Sequence, residues 1–355
     1  MRPVSPSARL SLRTRLAVPV ILSASFLLAS ARAETCTTQS AMPPAQRTAI
    51  ADAARNLALK VQANDAAALR TSAAPDLAKD FGALQYLVAV TAPKLAGAAP
   101  AVEQIYLLDA TNLKRNADGS GVDSDFFCSL NKTTAETEFI IPALPPGLYA
   151  FAMVALAPSS PNAAPWRLSF LMRQDPPGSG PWQLAGFYPR PLSAAGHDGL
   201  WFWTQARQLV KEKQPWNAWL YYREAEKLLS PSDFVTSTHF EKLRTEASSA
   251  APPALSEGVS PDTPLVVKGA DGAEYRFTAL EIDDSTTPSA LDLAVHYRTE
   301  PLSDQVAARK RNDSAAAALL AAYSELRRPY HSVVVIADSP GQAPFTSEQP
   351  VTEIK

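Results

Sequence analysis

The apolar residues of this chain change period near residue 100, and that change sets the expected fold class. From 47 to 70, Ile50, Ala54, Leu57 and Val61 recur at helical spacing, with Asn64-Asp65 as a point of bending or interruption. A second helix is expected over 75–90, with Leu77, Phe81, Leu84 and Val88 on one face and Pro75 in its first turn. Beyond residue 100 the spacing becomes two. Strands are predicted at 102–109, 136–141, 148–156, 166–173 and 182–188, with Leu144-Pro145-Pro146-Gly147 as one turn and 175–181 as a Pro-Gly-rich loop. Helices followed by antiparallel strands make an α+β architecture, with helices packed on an antiparallel sheet.

The amino terminus predicts where folding takes place. Arg2, Arg9, Arg13 and Arg15 precede a charge-free apolar run from Leu16 to Ala31, and Ala31-Arg32-Ala33 offers small residues to a signal peptidase. A spanning helix needs about 20 apolar residues; this run is shorter and carries Pro19. Residues 1–33 therefore read as a Sec-type signal peptide cleaved after Ala33. The address is the periplasm or the medium. No adjacent Arg pair precedes the run, and Glu34-Thr35 separates Cys36 from the small residues that lipidation requires. The second cysteine is Cys128. In an oxidising compartment the two are expected to pair. The loop so closed, of about 92 residues, corresponds to roughly 4–5 kcal/mol in the chain-entropy account.

Charge excludes one class of partner. Of 33 Lys+Arg and 35 Asp+Glu, the signal segment holds five Arg and no acid, so the mature balance is 28 basic against 35 acidic. A mildly acidic chain without a basic stripe is not built to neutralise phosphates, and nucleic acid is not an expected partner. No later stretch is long and apolar enough to form a transmembrane segment after signal cleavage.

Further along, Gly196-His197-Asp198-Gly199 opens a helical pair at 200–213 and 216–229, with Pro215 at the turn, and a further helix is expected near 232–248. Residues 250–263 read as a linker by composition. Strands at 264–268, 274–282 and 290–299, a turn at Ala270-Asp271-Gly272, a helix at 302–327 and a strand at 332–337 complete a small α+β domain over 264–355.

Three resemblances attach to these segments. The order of elements over 34–192, ending in Trp182-Gln183-Leu184-Ala185-Gly186-Phe187-Tyr188, resembles the NTF2-like (cystatin-like) α+β cone. That likeness implies a pocket between sheet and helices, in enzymes and plain binding modules alike. Residues 193–249 resemble a single tetratricopeptide-type (TPR-like) hairpin: Phe202, Ala206, Ala218, Tyr222 and Ala225 stand at its aromatic and small positions, while Gln205 departs from it. Gly196 through Phe234, with Gly186-Phe187-Tyr188-Pro189 before it, resembles a family of uncharacterised exported proteins of acidobacterial type. It brings no catalytic residues.

Each candidate site also has an ordinary structural role. His197-Asp198 between glycines suits proton transfer, but Asp198 equally suits a helix cap. Trp201, Trp203, Trp216, Trp219, Tyr221 and Tyr222 suit either a ligand platform or a helix core. Asp118 to Asp125 resembles part of a calcium-binding nonapeptide, with Asp123 and Asp125 as oxygen ligands; a single copy reads better as a solvated hairpin loop. Arg167 and Arg173 share one strand face and suit an anion or plain exposure, and Phe151, Met153 and Tyr188 suit the lining of an apolar pocket. No nucleophile elbow, phosphate loop or ligand-spaced histidine set is present, so no catalytic residue, metal or cofactor is expected.

These observations predict an exported, non-catalytic binding or scaffold protein of the bacterial envelope. Its partner would be an envelope protein or a small apolar molecule. A small-molecule or lipid carrier using the NTF2-like pocket is the alternative, and a hydrolase or isomerase around His197-Asp198 ranks below it. Oligomeric state is left open.

Overall fold

The computed structural model describes residues 34–129, 136–158, 163–256, 258–270, 272–284, 289–301 and 303–355. The segment 1–33 expected to be a signal peptide, the turn residue Asp271 and the first residue of the helix expected at 302–327 lie outside them. Residues 34–355 form one compact unit.

The amino-terminal half has three layers. A short strand, β1 (Thr35–Thr38), leads into four helices, α1 (Pro44–Gln62), α2 (Ala66–Thr71), α3 (Pro75–Lys79) and α4 (Gly82–Thr91). Strands β2 (Pro100–Asp109), β3 (Val122–Ser129), β4 (Glu136–Leu144), β5 (Leu148–Leu156), β6 (Trp166–Gln174) and β7 (Trp182–Pro191) follow. The main sheet is antiparallel in the order β1-β2-β5-β6-β7. Its middle strand alternates Ala150, Ala152 and Val154 toward α1–α4 with Tyr149, Phe151 and Met153 toward the opposite face. In β7 a bulge opposite Leu171 and Met172 resets that alternation, so Leu184 and Phe187, three residues apart, both join the helical side.

The face away from the helices is covered by a second sheet, in the order β10-β4-β3, where β10 is Val235–Ser237. Phe126, Cys128, Phe139, Ile141 and Val235 pack from it against Tyr106, Leu108, Tyr149 and Phe151. The rings of Phe139 and Phe151 meet edge to face at 5.2 Å, the geometry that aromatic quadrupoles favour. A disulfide joins Cys36 on β1 to Cys128 on β3, with Cα atoms 5.3 Å apart, and so ties the two sheets together at one edge.

Several boundaries differ from the sequence reading. The helix expected over 47–70 ends at Gln62; Asn64 is left-handed (φ 54°), and Asp65 accepts from Ala68 N to cap α2. That expected over 75–90 breaks at Asp80-Phe81, because Gly82 weakly favours helix and Phe81 turns inward at the break. Only Asp118 to Gly121 forms the loop expected over 118–125. Val122 begins β3, whose buried Ser124, Phe126 and Cys128 alternate with exposed Asp123, Asp125 and Phe127.

A two-residue ladder, β8 (Ser193–Ala194) with β9 (His197–Asp198), leads into α5 (Gly199–Lys211) and α6 (Pro215–Leu229). Gly199 makes their contact close: a Cβ there would meet Leu229 Cγ at 2.6 Å. The helix expected near 232–248 is shorter, α7 (Thr238–Ala250), because the preceding residues pair with β4 as β10. Leu255, within the expected linker, is buried in the hydrophobic cluster that α5–α7 share with the carboxy-terminal sheet.

That sheet runs β11 (Leu265–Lys268), β12 (Glu274–Asp283), β13 (Asp292–Arg298), β14 (Ser332–Asp338) and β15 (Phe345–Pro350). Strands β13 and β14 are parallel, as the crossover through α8 (Gln305–Ala322) allows. The helix expected to reach 327 ends at Ala322 and tightens into a 3₁₀ turn at Ser324–Arg327. Buried Asn312 locks α8 in place, accepting from Tyr297 OH at 2.8 Å and donating to Ser347 Oγ at 3.0 Å.

Beside the apolar cluster they share, the hairpin and this sheet bring ionisable groups together. Glu224 on α6 is 3% exposed beside Lys227, with Glu281 and Asp284 also facing it. Burial is the main cause that pushes its carboxyl up to about 6. His296 on β13 has Asp338 Oδ2 at 3.1 Å and Glu281 Oε1 at 3.7 Å. The hydrogen bond to Glu281, chiefly, raises its imidazole above the ordinary value, against the opposing cost of burial.

Two outcomes follow for stability. Reduction of the Cys36–Cys128 bridge removes about 4–5 kcal/mol, a fall in melting temperature of roughly 10 °C. Alkylation before reduction should find no thiol; two reactive thiols would contradict the bridge. The second outcome concerns pH. Glu224 and His296 both bind protons more tightly folded than unfolded, so stability falls as pH rises, from about 4.5 to 6 for Glu224 and above 6.5 for His296. Glu224→Gln should remove up to about 2 kcal/mol of that dependence. Melting curves from pH 5 to 8 with the same slope in both proteins would refute it.

Candidate functional site

The seam between the two sheets of the amino-terminal half is incompletely filled. A pocket of about 180 Å³ opens there, with Tyr106, Phe151 and Met153 of the main sheet on one side and Thr137, Phe139 and Val235 of the smaller sheet on the other. Its rim is formed by Arg167, Leu229, Pro231 and Phe240. Alternation places the lining: β5 sends Tyr149, Phe151 and Met153 to this side, and β6 sends Arg167, Ser169 and Leu171 there by pairing Ala155 with Arg167 and Met153 with Ser169.

Thr137, Ser237 and Arg167 stand among the apolar lining, and Ser169, paired with Met153, shares the strand face without lining the pocket. Arg167, with 18% of its side chain exposed, donates from Nη1 to Leu229 O at 3.2 Å and ion-pairs through Nε with Glu103 at 3.3 Å. A guanidinium carries five N–H donors, so two contacts leave capacity for an anion. Ser169, opposite Met153, is fully buried, and its Oγ has no hydrogen-bond partner among the described residues. A buried hydroxyl left so costs about 1–3 kcal/mol unless something at the seam satisfies it. Burial raises the phenols of Tyr106 and Tyr188 above their ordinary value, so both remain neutral donors.

The fold gathers some of the residues singled out in the sequence and separates others. Phe151, Met153 and Arg167 line the same pocket. Tyr188 stands behind it, its ring 5.0 Å from Phe234, which in turn lies 5.6 Å from Phe151. Arg173 is at the other end of the strand, donating to Pro146 O at 3.1 Å and approaching the Tyr149 ring. His197, Asp198 and Trp201 lie at the start of α5. Asp198 Oδ1 accepts from Trp201 N at 2.8 Å, as an N-cap does, and exposed His197 stacks on Trp201 at 3.7 Å.

The aromatic residues of α5 and α6 are engaged in packing. Trp203 is buried and donates to Glu246 Oε2 at 2.8 Å, and the same carboxylate takes a two-pronged contact from Arg207 at 2.7 and 2.9 Å. Trp216 is buried against Tyr323. Asp118 in the loop accepts from Ser120 N, and Asp123 on β3 accepts from Ala143 N of β4, so one carboxylate closes its turn and the other a strand end.

One grouping was not legible in the sequence. Asp292, His331 and Glu348 place one ligand atom each within 4.8 Å of the others. Their spacing along the chain matches no ligand motif, because pairing of three strands brings them together. A His-Ser step at the start of an apolar strand, His331-Ser332, was the available signal.

Compared with known proteins, the chain matches no family model, no curated protein and no solved structure.

Proposed function

We propose that this protein is an exported, non-catalytic binding module of the bacterial envelope that takes a small amphipathic anion into the pocket between its sheets. The carrying observation is the lining of that pocket: aromatic and thioether walls with the partly buried Arg167 guanidinium among them. Apolar walls with a few fixed polar groups are how small-molecule sites obtain both affinity and orientation. The volume is below the about 300–1,000 Å³ usual for drug-sized ligands, so the occupant is a short acyl chain or a single ring carrying a carboxylate.

Export rests on the signal-like segment 1–33, and the Cys36–Cys128 bridge supports an oxidising compartment, periplasmic or extracellular. Helices followed by an antiparallel sheet support an NTF2-like reading of 34–192, although the pocket lies on the sheet face turned away from the helices. Burial of Phe202, Ala206, Ala218, Tyr222 and Ala225 supports the TPR-like reading of the hairpin. Use of Asp198 as a cap, with His197 stacked and exposed, weighs against proton transfer by that pair.

Octanoate tests the reading, with octanol as its neutral counterpart. Titration calorimetry should show octanoate binding that weakens about tenfold or more in Arg167→Gln, the loss expected for a charge-assisted hydrogen bond. Octanol affinity should be unchanged by that substitution, and Met153→Trp should block both ligands by filling the pocket. Absence of binding across short and medium-chain carboxylates, or octanoate affinity equal in all three proteins, would rule the proposal out.

A further inference from the structure

We propose that Asp292, His331 and Glu348 bind a divalent transition cation of the zinc type, at a site separate from the inter-sheet pocket. Asp292 opens β13, His331 immediately precedes β14, and Glu348 lies on β15; these are three neighbouring strands. An imidazole nitrogen with two carboxylate oxygens is a donor set that suits zinc and its neighbours, with a fourth position left for water. His331 Nδ1 lies 3.5 Å from Asp292 Oδ1. Two ligands each about 2.0–2.2 Å from one tetrahedral ion span such a distance. The three donor atoms already lie within 4.8 Å of one another, so small side-chain rotations complete the set.

The most buried ligand is held in place beforehand. Asp292 is fully buried, and its Oδ1 accepts from Ser332 N at 2.9 Å and from Ser332 Oγ at 2.7 Å. Such supporting contacts orient ligands at metal sites. Ser332 Oγ also lies 2.8 Å from Glu348 Oε1. A hydroxyl has a single proton and can donate to one of these oxygens. When it donates to Asp292, the Glu348 oxygen meets a lone pair, and a cation shared by both carboxylates and the imidazole relieves that contact. His331 has 53% of its side chain exposed and Glu348 is also exposed, so an ion reaches the site directly from solvent.

His296 supplies an internal contrast. It too is flanked by an Asp and a Glu, but Asp338 faces Nδ1 and Glu281 faces Nε2. The carboxylates sit at opposite edges of the ring, and one ion cannot touch all three groups. The same residue types make a cation site at His331 and a hydrogen-bonded bridge between strands at His296.

Equilibrium dialysis of the purified protein against zinc tests the assignment. One zinc per chain is expected, with affinity reduced about tenfold or more in His331→Ala and in Glu348→Gln. Both replaced side chains reach solvent, so circular dichroism and the metal-free melting temperature should be unchanged. His296→Ala should bind zinc as the wild type does. Cobalt should give visible absorption bands that disappear in His331→Ala. The site is refuted if zinc fails to bind, binds His331→Ala undiminished or is lost in His296→Ala, or if calcium displaces it at equal concentration.

Discussion

Strand β5 is covered on both faces, and the amino-terminal half is organised around that fact. Its alanines and Val154 leave room for helices to approach closely, while Tyr149, Phe151 and Met153 on the other face need a second apolar layer. Burying aromatic side chains of this size contributes roughly 1.5–3 kcal/mol each, so the uncovered face would be a large exposed patch. The β3–β4 hairpin and β10 cover it. Because β10 lies beyond the α5–α6 hairpin in the chain, closing the seam also docks that hairpin beside the sheet, and Leu229 and Pro231 reach the pocket rim by this route. The pocket is thus where three separately positioned pieces meet without filling the space between them.

The existence of this strand was legible in the sequence; its cover on both faces was not. Residues 148–156 form an almost unbroken apolar run, which is what a strand buried on both faces requires. The direction of its side chains was not legible, because either face could have met the helices. That choice is made by β2 and β6, whose own alternation joins Ile105, Leu168 and Phe170 to the helical core. Strand β3 was hidden by inversion: Asp123, Asp125 and an exposed Phe127 dominate its composition, while its inward face is carried by Ser124, Phe126 and Cys128. Short β10 has no pattern of its own and exists only through pairing with β4. Edge strand β15, with polar Thr346 and Glu348 outward and proline at its end, reads as loop.

Site residues divide along the same line. Phe151, Met153 and Arg167 sit on strands that the sequence marks as strands, and the register of β5 with β6 carries them to one pocket, a juxtaposition that neither strand shows by itself. Arg173 has the same parity as Arg167 but lies several residues along β6, so shared face did not mean shared site. The Asp292-His331-Glu348 grouping depends on a parallel pairing, β13 with β14, whose register is set by the α8 crossover. No local pattern encodes such a pairing, and a histidine beside a serine gives little warning of it.

Both halves of the molecule are held by apolar seams that differ in the reactive groups they carry. Between the amino-terminal sheets the contact is aromatic, closed at one edge by a disulfide, and depends on redox state. Between the helical hairpin and the carboxy-terminal sheet it includes Glu224, Lys227, Glu281 and His296, and depends on proton concentration. The two seams are joined through α6, which carries Glu224 toward the carboxy-terminal sheet and Leu229 at the inter-sheet pocket, where Arg167 donates to the Leu229 carbonyl. Groups that share one element in this way couple rather than add, so loss of the bridge that loosens the first seam also reaches the footing of the second.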